Sequence, residues 1–331
     1  MKVLHLPLEV AGQVAEICTQ LHKKGIEAVG YNWRHNYLGV DHRLANSDAY
    51  EMANTWEDAL RYFDIFHYHT GYTLYKDKKD MMMALEAGKK VIMHHRGNDV
   101  RIPSQAVEGN DYYNPYVYVG DSQPEEQMIR NLKFFSKYLS TAIVQDEELY
   151  AYVKDYYRHV HILPRLIDTA QIKPRYVSME KDVPLIVHAP TSRAFKGTDT
   201  ILKVIAKMKK EFPIHFQLVE KMSKPKALAV MAKADIVIDQ ILCGFYGNVS
   251  VEAMALGKPV LAYIRPDIQQ RLADDCPVIS ANPDTLYDRL KSLLQCPEQR
   301  RQIGMKGREY VQNHHSAEQV INQLVQIYRS L

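Results

Sequence analysis

Short apolar runs alternate with stretches of helical periodicity along the chain, and the alternation begins twice. In the first half the apolar runs are Val3–Leu6, Ala28–Tyr31, Ile65–Tyr68, Val91–His94, Ala142–Val144 and His161–Leu163. Among them, helical spacing covers Val14–Lys23, Lys79–Ala87, Glu125–Leu139 and Glu148–Tyr157. The pattern restarts with strands at Leu185–His188, Phe216–Val219, Ile236–Ile238, Val260–Ala262 and Val278–Ile279. Its helices are Thr198–Glu211, Pro225–Lys233, Val249–Leu256 and Thr285–Leu294, followed by Pro297–Gln312 and Ala317–Tyr328. Strands that alternate with helices imply α/β architecture, with parallel sheets covered on both faces. Between the halves, "LPRLIDTAQIKPRYVSMEKDVP" is rich in Pro and charge and lacks a period, which marks a linker. The predicted division is a first Rossmann-like domain at 1–165, a linker at 166–184, a second at 185–313 and a C-terminal helix at 314–331. Two such domains facing one another hold ligands in a cleft at the carboxyl ends of their strands. The residues to read for chemistry are therefore those that follow strands.

Composition narrows the class. A chain of 331 residues suits two domains, and 46% hydrophobic with 24% charged residues is the balance of a soluble globular protein. No apolar run approaches the ~20 residues that span a bilayer, and "MKVLHLPLEVAG" reads as a first buried strand rather than a leader. Cys18, Cys243, Cys276 and Cys296 have no metal-type spacing, so reduced thiols and a cytoplasmic setting are expected. The net charge of +3 gives no reason to expect nucleic acid as a partner. The second half is nevertheless basic, which suits an anionic nucleotide or peripheral association with an anionic membrane surface.

The densest chemistry lies after strands of the second half. In "GNVSVEAMALGKPV", Gly247 turns into a short helix with Glu252 in its early turns, Gly257 stops it and Pro259 opens a strand. The amides of Gly247, Asn248 and Val249 at such a start suit an anion, and a carboxylate at Glu252 accepts hydroxyl hydrogen bonds; an ordinary αβ turn with a solvent-facing Glu fits these residues equally. In "HAPTSRAFKGTD", Arg193 and Lys196 feed a helix N-terminus, where two cations would neutralise a diphosphate. Asp239 ends a strand, Glu220 follows another, and Tyr246 beside Phe245 would either line a sugar pocket or pack in the core.

In the first half, Gly12 sits at the bend after the first strand. "VIMHHRGNDVR" gathers His94, His95, Arg96, Gly97, Asp99 and Arg101 where a strand ends, and strand alternation turns His94 and His95 to opposite faces. Asp99 and Arg101 would pair to hold that loop. His67 and His69 share one face of their strand and are candidates for an acceptor site. No carboxylate stands at ligand spacing to the histidines, so no metal site is expected. The tyrosines of "DYYNPYVY", Asp111–Tyr118, would stack on sugar rings or pack under a loop.

"VEAMALGKPV" resembles the nucleotide-binding segment of GT-B glycosyltransferases of family 4. The linker resembles that family's "lPNGVD" segment, with Pro164 and Asp168 matching and Arg165-Leu166 departing. "HHRGNDVR" is similar to its "HGSD" loop, with Arg96 in the place before the glycine. The resemblance covers most of the chain and is most specific in the second half. It implies a GT-B fold with the final helix crossing back to the first domain. It implies a retaining, metal-independent glycosyltransferase with no cofactor, whose substrates are a nucleotide diphosphate sugar and a glycan or lipid-linked hydroxyl acceptor. Glu252 would grip the ribose, Arg193 and Lys196 the diphosphate, and His94 would approach the donor sugar. Gly12, Gly97 and Glu220 would add donor contacts, while His67, His69 and Asp99 would border the acceptor. The largest departure is Gly244, which stands where the family has a Glu that contacts the transferred sugar, leaving Asp239 as the nearby carboxylate. The alternative reading is a catalytically silent nucleotide- or sugar-binding subunit supporting a partner transferase. A GT-B epimerase or phosphorylase is disfavoured by the same motifs.

Overall fold

The computed structural model describes residues 1–33, 39, 43–107, 113–117, 123–180 and 183–331. Of the tyrosine-rich stretch read above, positions 111, 112 and 118 lie outside them. The chain divides into two compact units, one of residues 1–104, 122–166 and 317–331, the other of 105–121 and 167–316.

The first unit is built in chain order from β1 (Lys2–Leu6), α1 (Gln13–Lys23), β2 (Glu27–Asn32), β3 (Leu44–Asn46), α2 (Ala49–Asn54), α3 (Trp56–Tyr62), β4 (Ile65–His69), α4 (Lys79–Glu86) and β5 (Lys90–His95). α5 (Pro103–Val107) spans the division after residue 104, and the first unit continues with α6 (Glu125–Tyr138), β6 (Thr141–Val144), α7 (Glu147–Val153) and β7 (His159–Ile162). The sheet is parallel throughout, in the order β3-β2-β1-β4-β5-β6-β7. Helix α1 buries Val14, Ile17, Cys18 and Leu21, one stripe at helical spacing, against Val3, Ile65 and Ile92 of the sheet. β3, α2 and α3 are absent from the sequence reading because three to seven residues are too few to show a period; α2 is started by Asp48, whose side chain accepts from the Glu51 amide at 2.9 Å.

The second unit runs β8 (Leu185–His188), α8 (Arg193–Lys196), α9 (Thr198–Met208), β9 (His215–Leu218), α10 (Lys224–Met231), β10 (Ile236–Ile238), α11 (Asn248–Ala255) and β11 (Val260–Ala262). It ends with α12 (Pro266–Gln269), β12 (Ile279–Ser280), α13 (Leu286–Gln295) and α14 (Pro297–His314). Its parallel sheet has the order β12-β11-β10-β8-β9. Ile201, Ile205, Leu286, Leu290 and Leu293 pack on one face with Ile186, Ile236 and Leu261. On the other, α11 meets α14 so closely that a Cβ on Gly304 would lie 2.1 Å from the Gly257 carbonyl oxygen. From residue 167 on, the described part of the predicted linker packs with this unit, while Leu166 is buried in the first. Arg308 donates to the carbonyls of Thr169, Ile172 and Ala255 at 2.8–2.9 Å, and Arg301 to that of Val177. The last helix, α15 (Ala317–Ser330), returns to the first unit, burying Val320, Ile321, Leu324 and Tyr328 in the same cluster as α1.

Candidate functional site

The chemistry of the second unit gathers where β8 and β10 end. Ser192 caps α8, accepting from the Phe195 amide, and this single turn carries both predicted cations. Lys196 is buried, its Nζ 2.6 Å from Asp239 Oδ1 and 2.7 Å from Gln240 Oε1. The other Asp239 oxygen, Oδ2, accepts from the amides of Gly247 and Ser250 at 2.8 and 3.3 Å and from Ser250 Oγ at 2.6 Å. Burial works to raise the Asp239 carboxyl, but the Lys196 charge and these donors outweigh it and hold it below the usual carboxylate range. Asp239 is thus spent on fastening Lys196 and the start of α11. The sugar contact expected of it is not where its oxygens lie.

Gly247 has no room for a side chain. A Cβ there would lie 2.8 Å from Gln240 Oε1, 2.9 Å from Asp239 Oδ2 and 3.0 Å from Lys196 Nζ. The ammonium therefore stands directly against the helix start. Among the described residues the amides of Asn248 and Val249 meet no partner, and Asn248 Oδ1 is buried without one. A buried acceptor left unpaired is costly, and this one lies beside the free amides of the helix start. Glu252, one turn further on, is held by Lys224 at 3.0 Å with both side chains partly buried. Arg193 and Glu220 form a two-pronged pair at 2.8 and 2.6 Å, with Arg193 half exposed. Its hydrogen bonds lower Glu220 and raise Arg193.

The loop from Gln240 to Gly247 is tied from within. Asn114 Nδ2 donates to the carbonyls of Leu242 and Cys243, and Gln240 Nε2 to that of Phe245. Gly244 has φ +93°, a left-handed conformation that strains any L side chain, and a Cβ would approach Asn114 Nδ2 to 3.3 Å. A Glu here would need a different loop. Tyr246 is buried, stacked on Phe245 and bonded through its hydroxyl to Tyr310 and His315, so it serves the core rather than a sugar pocket. A cavity of about 450 Å³ lined by Ile279, Thr285, Asp288 and Arg289 shares none of these residues.

In the first unit, strand register builds a histidine block. His5 of β1 lies beside His67 of β4, and His69 of β4 beside His94 of β5. All four are fully buried, so His67 and His69 offer no surface to an acceptor. Burial, then neighbouring histidines and Arg96, hold His67 and His69 well below the ordinary histidine range; burial and Arg96 take His5 down to about 3. His95 faces elsewhere, as expected of its neighbour in a strand, bonding Asp99 at 2.7 Å and Tyr157 at 2.9 Å. Asp99 accepts from the amides of Arg96 and Gly97 as well, so it shapes the Gly97 turn and has no oxygen directed to an acceptor. Arg101 pairs with Glu148 at 2.8 Å. At α1, Gly12 is the cap residue with φ 80°, and Glu9 occupies the helix start by accepting from the Val14 and Ala15 amides.

His5, His67 and His69 bring ligand-type nitrogens within 4.8 Å of one another. Their rings lie 12–31° apart and 4.4–5.4 Å between centroids, nearly parallel. No local pattern in the sequence points to His5, Tyr328, Lys224 or Asn114 in these networks. Only the register of β1 against β4 brings His5 in, and pairing across long stretches of chain brings in the others.

Residues 211–326 match the model of a family described as glycosyl transferase-like. A curated MMP α-(1→4)-mannosyltransferase from Mycolicibacterium hassiacum is 25% identical over 198 residues, 51% of this chain and 48% of the relative. The chain spans about half the length of that relative. Among solved structures, Anabaena HepE in complex with UDP and glucose superposes with a TM-score of 0.72 at 12% identity over 100% of both chains. A glycosyltransferase from Rickettsia africae gives 0.67 at 13% identity, covering 99% of this chain and 97% of that one. The two parallel sheets with their helices are the fold of GT-B glycosyltransferases.

Proposed function

We propose that the protein is a retaining glycosyltransferase that moves a sugar from a nucleotide diphosphate sugar to a hydroxyl of a glycan or lipid-linked acceptor. The observation that carries the reading is the start of α11. Two amides without partners and a buried, unpaired Asn248 oxygen stand beside an ammonium fixed by Asp239 and Gln240. Glu252 follows one turn later, as a ribose-binding carboxylate would. The HepE structures hold UDP and UDP-glucose, which supports a nucleotide-sugar donor here.

In this reading Lys196, the helix amides and Arg193 stabilise charge that builds on the diphosphate as the C1–oxygen bond breaks. The acceptor hydroxyl attacks C1 from the face the diphosphate leaves, and its proton passes to a departing phosphate oxygen. Arg193 must leave Glu220 for this, whereas Lys196 is in place. The mannosyltransferase relative and the lipid-linked acceptors of the proposal both fit polysaccharide or glycolipid synthesis, and peripheral membrane association belongs to the same proposal. No helix among the described residues is long and apolar enough to cross a membrane.

The Gly244 conformation favours a second reading, a silent binding subunit, because the position of the family's sugar-contacting Glu accepts no side chain without strain. A thermal-shift and hydrolysis screen over UDP-, GDP-, ADP- and TDP-sugars separates the two. A transferase releases free sugar slowly from one of them; a silent subunit is stabilised by nucleotide without any release.

A further inference from the structure

Residues 113–117, from the tyrosine-rich stretch of the sequence, belong to the second unit. Tyr116 anchors them there. Its ring meets Tyr263 edge to face at 5.4 Å between centroids, and its hydroxyl donates to Asp284. This anchor delivers Asn114, fully buried, to the loop between β10 and α11. The Asn114 amide is used to capacity. Nδ2 donates to the Leu242 carbonyl at 2.9 Å and to the Cys243 carbonyl at 3.1 Å, while Oδ1 accepts from the Tyr116 amide at 3.0 Å. An Asp of the same shape has no donor to give.

Four successive carbonyls of the loop, Leu242 to Phe245, are thereby turned inward. Asn114 holds the first two, the Arg265 amide takes that of Gly244 at 2.9 Å, and Gln240 Nε2 takes that of Phe245. In a planar trans peptide the N–H points opposite to the C=O before it. Holding the Cys243 carbonyl therefore turns the Gly244 N–H away from Asn114, and among the described residues that N–H meets no partner. Asn114 and Gly244 also fit one another. At φ +93° residue 244 carries no side chain, and a Cβ there would press on Asn114 Nδ2 at 3.3 Å.

The two ends of this loop are already part of the proposed site: Gln240 holds Lys196, and Gly247 starts α11. With the ribose at Glu252 and the diphosphate at the helix start, as proposed above, the sugar falls on the side of the loop that precedes the helix. We infer that Asn114 is a positioning residue of the donor site, which turns two loop carbonyls inward and so holds the Gly244 amide as a hydrogen-bond donor to an oxygen of the transferred sugar. The identity of that ligand rests on the glycosyltransferase reading; the direction of the loop peptides does not. A backbone N–H gives a hydrogen bond where a Glu at this position would accept one.

The test compares the full chain with Asn114→Ala and Asn114→Asp in two measurements: calorimetric affinity for UDP, GDP, ADP or TDP, whichever binds, and steady-state hydrolysis of the corresponding nucleotide sugar. Asn114 bonds neither Lys196 nor the start of α11, so affinity for the free nucleotide diphosphate should stay within about twofold. The kcat/KM for the nucleotide sugar should fall roughly fivefold to tenfold in Asn114→Ala, the effect of one misdirected hydrogen bond. Asn114→Asp should lose more, because its carboxylate faces the two carbonyls. A lower melting temperature with both quantities unchanged, an equal loss of both, or an Asp variant more active than the Ala variant overturns the inference. If neither variant folds, Tyr116→Phe frees the segment at Asp284 and should show the same split at roughly twofold to threefold; no split there also overturns it. An unaltered protein that turns over no nucleotide sugar would overturn the function proposed above. The hold of Asn114 on the loop is then read by hydrogen exchange across residues 240–247, which should be faster in Asn114→Ala, and unchanged exchange overturns that as well.

Discussion

At the scale of single residues, the account turns on Asp239 and Lys196. Both are buried, and each satisfies the other. Breaking a buried ion pair by removing one partner costs about 3–5 kcal/mol, because the remaining charge stays out of water. Asp239→Asn should therefore lower the melting temperature and also weaken binding of free nucleotide diphosphate, since Lys196 and the Gly247 turn lose their anchor together. Equal nucleotide affinity with reduced sugar turnover would instead restore Asp239 as a sugar contact. If the proposed reaction holds, Lys196→Met removes the charge that would meet the leaving diphosphate, and its turnover should fall by roughly 10²–10³, the loss typical of one preorganised donor. The measurement is steady-state turnover at a temperature where the variant remains folded, and a loss below threefold would exclude Lys196 from the chemistry.

At the scale of elements, the parallel pairing of β1, β4 and β5 sets four fully buried histidines side by side. This has a consequence for stability. His5 titrates near 3 in the native state against an ordinary 6.5, and burial, countered in part by a hydrogen bond to the Ile238 carbonyl, takes His188 of the second unit to about 4. Between those values the unfolded chain binds protons that the native chain does not. Stability from these groups is therefore complete above the unfolded value near 6.5 and declines as pH falls toward the native values. One such histidine contributes a slope of about 1.4 kcal/mol per pH unit, and His67, His69 and His94 act in the same direction. Urea melts at pH 7.5, 6 and 5 should show a steep loss of stability below pH 6.5. A flat profile over that range would mean that the block is open to water.

The elements themselves were largely legible in the sequence, and the reason is their pattern. β8, β10 and β11 are continuous apolar runs bounded by Pro, Gly or charge, and the structure starts and stops them at the residues read. α7 was overextended, ending at Val153 rather than Tyr157, because apolar residues continue past the turn that closes it. The cations and the carboxylate of the second unit were legible because they follow strands within short motifs. Their partners were not. Asn114 reaches the Leu242 and Cys243 carbonyls, and Tyr328 reaches His67, from far along the chain, and no local spacing encodes such pairs. Gly244 was seen as a missing carboxylate, and only its φ reveals a backbone that requires glycine.

At the scale of the whole molecule, two α/β units with parallel sheets carry different chemistry: a helix start with unpartnered amides beside a fixed ammonium in one, and a block of buried histidines in the other. The central claim is that nucleotide diphosphate binds at α11 with Glu252 on the ribose. Calorimetric titration with UDP, GDP, ADP and TDP, on the unaltered protein and on Glu252→Ala, tests it most directly. One nucleotide should bind, and the variant should bind it about 1–3 kcal/mol more weakly, the cost of leaving buried ribose hydroxyls unpaired. Equal affinity in a folded Glu252→Ala protein, or no binding of any of these nucleotides, would contradict the account.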